Sequence, residues 1–63
     1  MKIARILDET DGTFGLDYEN TLGKQNHMRL DARTYEGAVR EARRFLEIGA
    51  DDRDPDGAQW DLE

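Results

Sequence analysis

The segment from Thr34 to Gly49 constrains the fold most strongly, because its apolar residues recur at the spacing of an α-helix. This apolar stripe comprises Tyr35, Ala38, Val39, Ala42, Phe45, Leu46 and Gly49. Thr34 has a side chain that is preferred at a helix N-cap, and Gly49 is suited to end the helix in the left-handed conformation. The sequence therefore predicts one amphipathic helix, whose apolar underside must pack against another element.

Two segments before the helix alternate between apolar and polar residues, which is the pattern of half-buried β-strands. They run from Lys2 to Asp8 and from Thr13 to Asn20. Asp11-Gly12 between them favours a tight hairpin turn. If that turn has two residues, Leu7 lies opposite Leu16.

The same register would place Ala4 and Ile6 on the sheet face away from the core, beside Asp17 and Glu19. Exposure of these apolar side chains is unfavourable for a monomer in water. We therefore predict that Ile6 belongs to a second buried surface, such as a homodimer interface.

A third alternating segment runs from His27 to Ala32. We expect Met28 and Leu30 to lie on the core side of the sheet together with Tyr18. That arrangement pairs Tyr18 with Leu30 and Asn20 with Met28, and it requires a connecting loop of three or five residues.

The alternation returns at Ala58 to Glu63, after a turn at Pro55-Asp56-Gly57, and it favours a fourth strand. The predicted fold class is α+β. It consists of an antiparallel three-stranded sheet packed on one amphipathic helix in the order β-β-β-α, with a fourth strand, β-β-β-α-β, where the C-terminal segment joins the sheet. Residues 1–63 are expected to form a single small domain that contains an acidic turn at residues 50–57.

The composition excludes several kinds of site. The chain has 63 residues and no cysteine, which excludes disulfides, thiolate zinc sites and a cysteine nucleophile. A domain this small is marginally stable, so a bound metal or a dimer is the expected additional source of stability. No apolar run has the length of a transmembrane helix, and we expect a soluble cytoplasmic protein with no membrane partner.

The charge of the chain is strongly acidic and unevenly distributed. The net charge is −6, and residues 45–63 carry seven acidic side chains against one basic side chain. Nine aspartates accompany two lysines, a composition typical of proteins from salt-rich or GC-rich organisms, in which a high density of carboxylates keeps the protein surface hydrated. The acidic segment therefore either binds cations or is a solvated extension.

The segment from Asp52 to Glu63 matches the pattern D-x-[DN]-x-[DN]-G-x5-E of a calcium-binding loop. The candidate metal ligands are Asp52, Asp54, Asp56 and Glu63. The segment resembles an EF-hand loop, although Gln59 stands where such loops usually carry a branched apolar residue. The same residues also suit a turn that lets Trp60 join the sheet, so Ca2+ binding and a structural turn are both open.

Neither the histidine nor the arginines predict a specific activity. His27 is the only histidine, and it has no neighbouring serine or second histidine with which to form a catalytic or zinc-binding set. We predict no catalytic residues and no enzyme activity. Several arginines between residues 29 and 44 are suited to phosphate contacts, but interleaved acidic residues and the net charge oppose nucleic-acid binding. The candidate partner-binding residues are Ile6, Arg29, Arg40 and Arg44.

Two segments resemble parts of the small HicB-type antitoxin domain. They are Asp11-Gly12-Thr13-Phe14 between two strands, and Thr34 to Ala42 at the start of the helix. HicB-type domains have a similar strand-strand-strand-helix order, and the likeness covers about residues 2–48. The chain lacks the Pro-Gly segment that those domains usually carry before the third strand. The resemblance implies a protein-binding module and assigns no individual binding residue.

The predicted function is that of a small non-catalytic interaction or regulatory protein. Its partner is another protein or a second copy of the chain. Calcium binding through the segment from Asp52 to Glu63 is the alternative, and nucleic-acid binding ranks third.

Overall fold

The computed structural model describes residues 1–62, which form four strands and one helix. The elements are β1 (Lys2–Asp8), β2 (Phe14–Glu19), β3 (Gln25–Leu30), α1 (Tyr35–Leu46) and β4 (Trp60–Leu62). The sheet has the order β3-β2-β1-β4, in which β1 to β3 are antiparallel neighbours and β4 runs parallel to β1. The predicted α+β fold, its element order and the fourth strand are confirmed.

The first hairpin has a three-residue loop, which changes the face of every residue in β1. The backbone N–H of Glu9 donates to the carbonyl of Thr13 over 3.0 Å, and Gly12 has a positive φ of 84°. Three-residue hairpins commonly place glycine at this left-handed position. Ile6 therefore lies opposite Leu16, and the pairing of Leu7 with Leu16 expected from a two-residue turn is wrong.

This shift by one residue brings Ala4 and Ile6 to the core side of the sheet. Ala4 is fully buried, and Ile6 is half-buried against the core. The expected position of Ile6 on the outer face is wrong, so Ile6 does not support a second buried surface, and the homodimer stays a prediction. Ile3 lies on the outer face instead and is 44% exposed.

The second hairpin also has a three-residue loop, Thr21-Leu22-Gly23, closed by the backbone hydrogen bond from Asn20 to Lys24. The Asn20 side chain accepts hydrogen bonds from the N–H groups of Leu22 and Lys24. The odd loop length and the core-facing side of β3 agree with the prediction.

The pairing within this hairpin differs from the prediction, because the loop lies two residues earlier in the chain. Leu30 pairs with Phe14, and Met28 pairs with Leu16. The expected pairs, Tyr18 with Leu30 and Asn20 with Met28, are wrong. The third strand accordingly begins at Gln25 and ends at Leu30.

The helix begins as predicted, and it ends earlier than predicted. Thr34 Oγ1 accepts a hydrogen bond from the N–H of Gly37 over 3.1 Å. At the other end Glu47 adopts the left-handed conformation with a φ of 58°, and the N–H of Ile48 donates to the carbonyl of Arg43. This is the hydrogen-bond pattern of a Schellman motif. Gly49 does not end the helix, because the left-handed residue at 47 turns the apolar Ile48 into the core.

The core lies between the helix and one face of the sheet. Its buried members are Ala4, Leu16, Leu30, Ala38, Ala42, Ile48 and Trp60. The helix contributes alanines to this layer, and their small side chains allow its backbone to approach the sheet closely. Trp60 is 6% exposed and is the largest side chain of the layer, so β4 contributes substantially to the core.

A substitution at Glu47 tests the end of the helix. A residue with a Cβ in the left-handed conformation is less stable than glycine by about 1 kcal/mol. We expect Glu47→Gly to raise the free energy of unfolding by roughly 0.5–1 kcal/mol, as measured by urea denaturation. The matched control Glu47→Ala keeps the Cβ and should show no such gain; equal stability of the two variants would contradict this account.

Candidate functional site

A cleft of about 350 Å³ opens at the end of the molecule where the helix finishes. Its walls come from the start of β1, the end of β2, the last turn of α1 and the turn that precedes β4. Its apolar lining consists of Tyr18, Phe45, Leu46, Pro55 and Trp60, and its charged lining of Lys2, Glu19, Glu47, Asp54 and Asp56. We call this the aromatic cleft.

Three aromatic side chains from three different elements meet in the aromatic cleft. The rings of Tyr18 and Phe45 lie edge to face with centroids 5.4 Å apart, a favourable arrangement for an aromatic pair. Trp60 is almost fully buried, whereas Phe45 is 48% exposed. The helix therefore presents a large apolar surface to solvent beside a rigid aromatic wall.

The charges around these rings are mainly negative. The carboxylates of Glu19, Glu47, Asp54 and Asp56 line the cleft, and the ammonium of Lys2 is the basic group among its charged lining residues. Lys2 Nζ lies over the Trp60 ring, 5.4 Å from its centroid. A cation in this position is attracted by the negative face of the aromatic ring. The cleft thus already holds one cation, which belongs to the chain itself.

Asp54 fixes the orientation of Trp60. Its Oδ2 accepts a hydrogen bond from the indole Nε1–H of Trp60 over 3.0 Å, and its Oδ1 accepts from the N–H groups of Asp56 and Ala58. The Trp60 hydrogen bond is the main cause that lowers the pKa of Asp54 below the ordinary aspartate value of 3.8. Asp54 is therefore an ionised acceptor that holds one wall of the cleft in place.

Two of the four predicted metal ligands have different partners in the described part of the chain. Asp52 pairs with Arg43, with Oδ1 and the guanidinium nitrogen 2.9 Å apart, and Asp54 is engaged with Trp60. Asp56 is exposed, and Glu63 lies outside the described residues. Within residues 1–62 no group of three or more side chains suited to hold a metal ion is found. Calcium binding stays a prediction.

The turn itself forms as predicted. Gly57 has a positive φ of 86°, its N–H donates to the carbonyl of Asp54, and Arg53 pairs with Gln59 across the turn. Pro55-Asp56-Gly57 thus reverses the chain and delivers Trp60 to the sheet. This structural role accounts for much of the match to a calcium loop.

The predicted partner-binding residues are not brought together. Arg29 lies on the outer face of the sheet, 3.6 Å from Asp11, whereas Arg40 and Arg44 are exposed on the helix, which covers the opposite face. Ile6 packs toward the core between these two surfaces. No single surface contains these four residues.

His27 points away from the core, as predicted, and lies between two carboxylates. Its Nδ1 is 2.6 Å from Asp17 Oδ1, and its Nε2 is 3.4 Å from Glu9 Oε1. A Cβ at Gly15 would collide with the side chains of Glu9 and His27, so the absence of a side chain there makes room for this cluster. Both ring nitrogens face carboxylates, in a cluster that is open to solvent.

Comparison with protein-family models, with curated proteins and with solved structures finds no match to this chain. Within the described residues, no helix is both long enough and apolar enough to cross a membrane.

The sequence did not identify Lys2, Tyr18 or Phe45 as site residues, because they lie far apart in the chain. The available signal was that Tyr18 and Phe45 each lie near the end of a predicted element, on its apolar face. Because the strand order is not encoded in a local pattern, they could not be placed beside Trp60 from the sequence.

The hydrogen bond between Trp60 and Asp54 predicts a specific pH dependence. Because folding lowers the pKa of Asp54, ionised Asp54 stabilises the fold above pH 3.8, and this contribution is lost as the pH falls through the lowered pKa. In NMR spectra recorded against pH, we expect the Trp60 indole proton to shift with a midpoint below 3.8. Asp54→Asn should abolish this step.

Asp56→Asn is the matched control, since Asp56 lies in the same turn and its side chain makes no such bond to the indole. The step should persist in that variant. A step of equal size in Asp54→Asn would show that Trp60 responds to a different group.

Proposed function

We propose that this chain is a small non-catalytic interaction module that binds a partner protein in the aromatic cleft. The observation that carries the proposal is the exposure of Phe45, which remains 48% accessible although it packs against Tyr18. Aromatic residues that are held rigidly and left accessible are typical anchors of protein interfaces.

Two further exposed apolar residues adjoin lining residues of the cleft in the chain. Met1 is 81% exposed and precedes Lys2, and Leu22 is 78% exposed and follows Thr21. Of the exposed large apolar residues in the described part of the chain, Phe45 is the one that lines the cleft itself. Exposed apolar residues beside a cleft mark interaction sites, whereas isolated ones need no function.

The polar groups of the cleft favour binding over catalysis. A general acid near neutral pH needs a raised carboxyl pKa, whereas the pKa of Asp54 is lowered and its oxygens accept hydrogen bonds from the chain itself. The resemblance to HicB-type antitoxin domains, which rests on the sequence, implies the same class of function.

The alternatives receive less support from the geometry. For calcium, Asp52 and Asp54 already carry other partners, Arg43 and Trp60, which compete with an ion for their oxygens. For nucleic acid, Arg29 lies on the sheet face opposite the helix that carries Arg40 and Arg44. The lining of the aromatic cleft, by contrast, lies together in one place.

Peptides selected from a random display library on the immobilised chain test the proposal. We expect the selected peptides to lose affinity by about tenfold or more in Phe45→Ala, because removal of a central aromatic anchor typically costs that much. Binding is measured by titration calorimetry, and circular dichroism confirms that each variant is folded.

Tyr35→Ala is a closely matched control. Tyr35 lies on the same helix, is 53% exposed, and also meets an aromatic ring of β2 edge to face, at a centroid distance of 6.4 Å from Phe14. It does not line the cleft. We expect unchanged binding in this variant. Equal loss in both variants, or no loss in Phe45→Ala, would contradict binding at the aromatic cleft.

A further inference from the structure

We infer that the aromatic cleft receives an arginine side chain from a basic segment of the partner, in the place over Trp60 that Lys2 now occupies. This inference rests on the proposed function and specifies the chemistry of its partner. It follows from the lining of the cleft, the position of Lys2 and the direction of the helix.

The lining of the cleft is complementary to a cation. Glu19, Glu47, Asp54 and Asp56 surround the aromatic walls, and the ammonium of Lys2 offsets only part of their charge. The chain as a whole has a net charge of −6, so its field attracts a basic segment over a longer range. A second copy of the same chain carries the same negative rim, which disfavours self-association through this surface.

Lys2 shows which chemistry the Trp60 ring accepts. Its backbone N–H donates a hydrogen bond of 2.9 Å to the carbonyl of Gln59, which fixes the main chain. Its ammonium, however, stands at the end of a flexible four-carbon stem. The ammonium lies 5.4 Å from the ring centroid and lowers the pKa of Asp54 as a minor contribution. A cation from a partner can take this place if the Lys2 side chain swings into solvent.

The helix adds a second attraction for a cation. The last turn of α1 borders the cleft through Phe45, Leu46 and Glu47, and the C-terminal end of a helix carries a partial negative charge. Glu47, which stands just after that turn, adds a full negative charge at the same place.

The geometry favours a guanidinium over an ammonium as the incoming group. A guanidinium is planar, so it can stack on an aromatic ring while its N–H groups point sideways to carboxylates. The aromatic cleft offers both kinds of partner next to each other, since Asp54 is hydrogen-bonded to the edge of the Trp60 indole. An ammonium has no flat face and uses the ring and the carboxylates less fully.

Titration of the full-length chain with blocked hexa-arginine and hexa-lysine peptides tests this inference. Trp60 is the only tryptophan, so its fluorescence reports directly on the cleft. At physiological ionic strength, where exposed charges are largely screened, we expect hexa-arginine to bind about threefold or more tightly than hexa-lysine. Equal or tighter binding of hexa-lysine, or no change in Trp60 fluorescence with hexa-arginine, would overturn the inference.

Lys2→Gln tests the displacement of Lys2. Removing the competing ammonium should tighten hexa-arginine binding by about threefold relative to the control Lys24→Gln, which changes the charge equally outside the cleft lining. Equal effects of the two substitutions would mean that only the net charge matters, and the displacement would be refuted. The comparison of the two peptides on the unmodified chain stands even if Lys2→Gln fails to fold.

The two proposals can fail separately. If library peptides bind in a Phe45-dependent manner while hexa-arginine does not bind, the cleft is an interaction site for a different chemistry, and only the arginine inference is lost. If neither binds, both proposals are refuted.

Discussion

The burial of the Trp60 indole in the core is the interaction on which the rest of this structure depends. β4 has only three residues, and it is held to β1 by parallel pairing and by the burial of Trp60 in the core. Burying a side chain of this size contributes about 2–3 kcal/mol, a large share of the stability of a domain without disulfides. The hydrogen bond to Asp54 satisfies the indole N–H and joins the acidic turn to the same core.

The side chains of α1 that face the sheet are small in the middle of the helix and larger near its end. Ala38 and Ala42 are fully buried, and their small size lets the middle of the helix lie close to the sheet. Near the end of the helix Leu46 packs against the core, whereas the larger Phe45 stays half in solvent. The aromatic cleft lies between this end of the helix and Trp60.

The sequence predicted the fold class, the N-cap at Thr34 and the fourth strand because each depends on local periodicity or on a local cap. It could not predict the hairpin register, because Asp11-Gly12 favours a two-residue turn but also suits the end of a three-residue loop, where Gly12 takes the left-handed position. The three-residue loop is the one that buries Ala4, and that burial depends on residues distant in the chain. The end of the helix was missed in the same way, since the core contact of Ile48 places the left-handed residue at Glu47 although glycine is available at position 49.

Position 47 is subject to two opposing requirements, one from its left-handed backbone and one from its side chain. Its backbone favours glycine, whereas its carboxylate belongs to the rim of the cleft. Under the proposed function, stability and recognition therefore select different residues at this site, a conflict that is common where a fold carries a binding function. Selection of this chain for heat resistance alone would be expected to replace Glu47 early and, under that proposal, to weaken the binding of a basic partner.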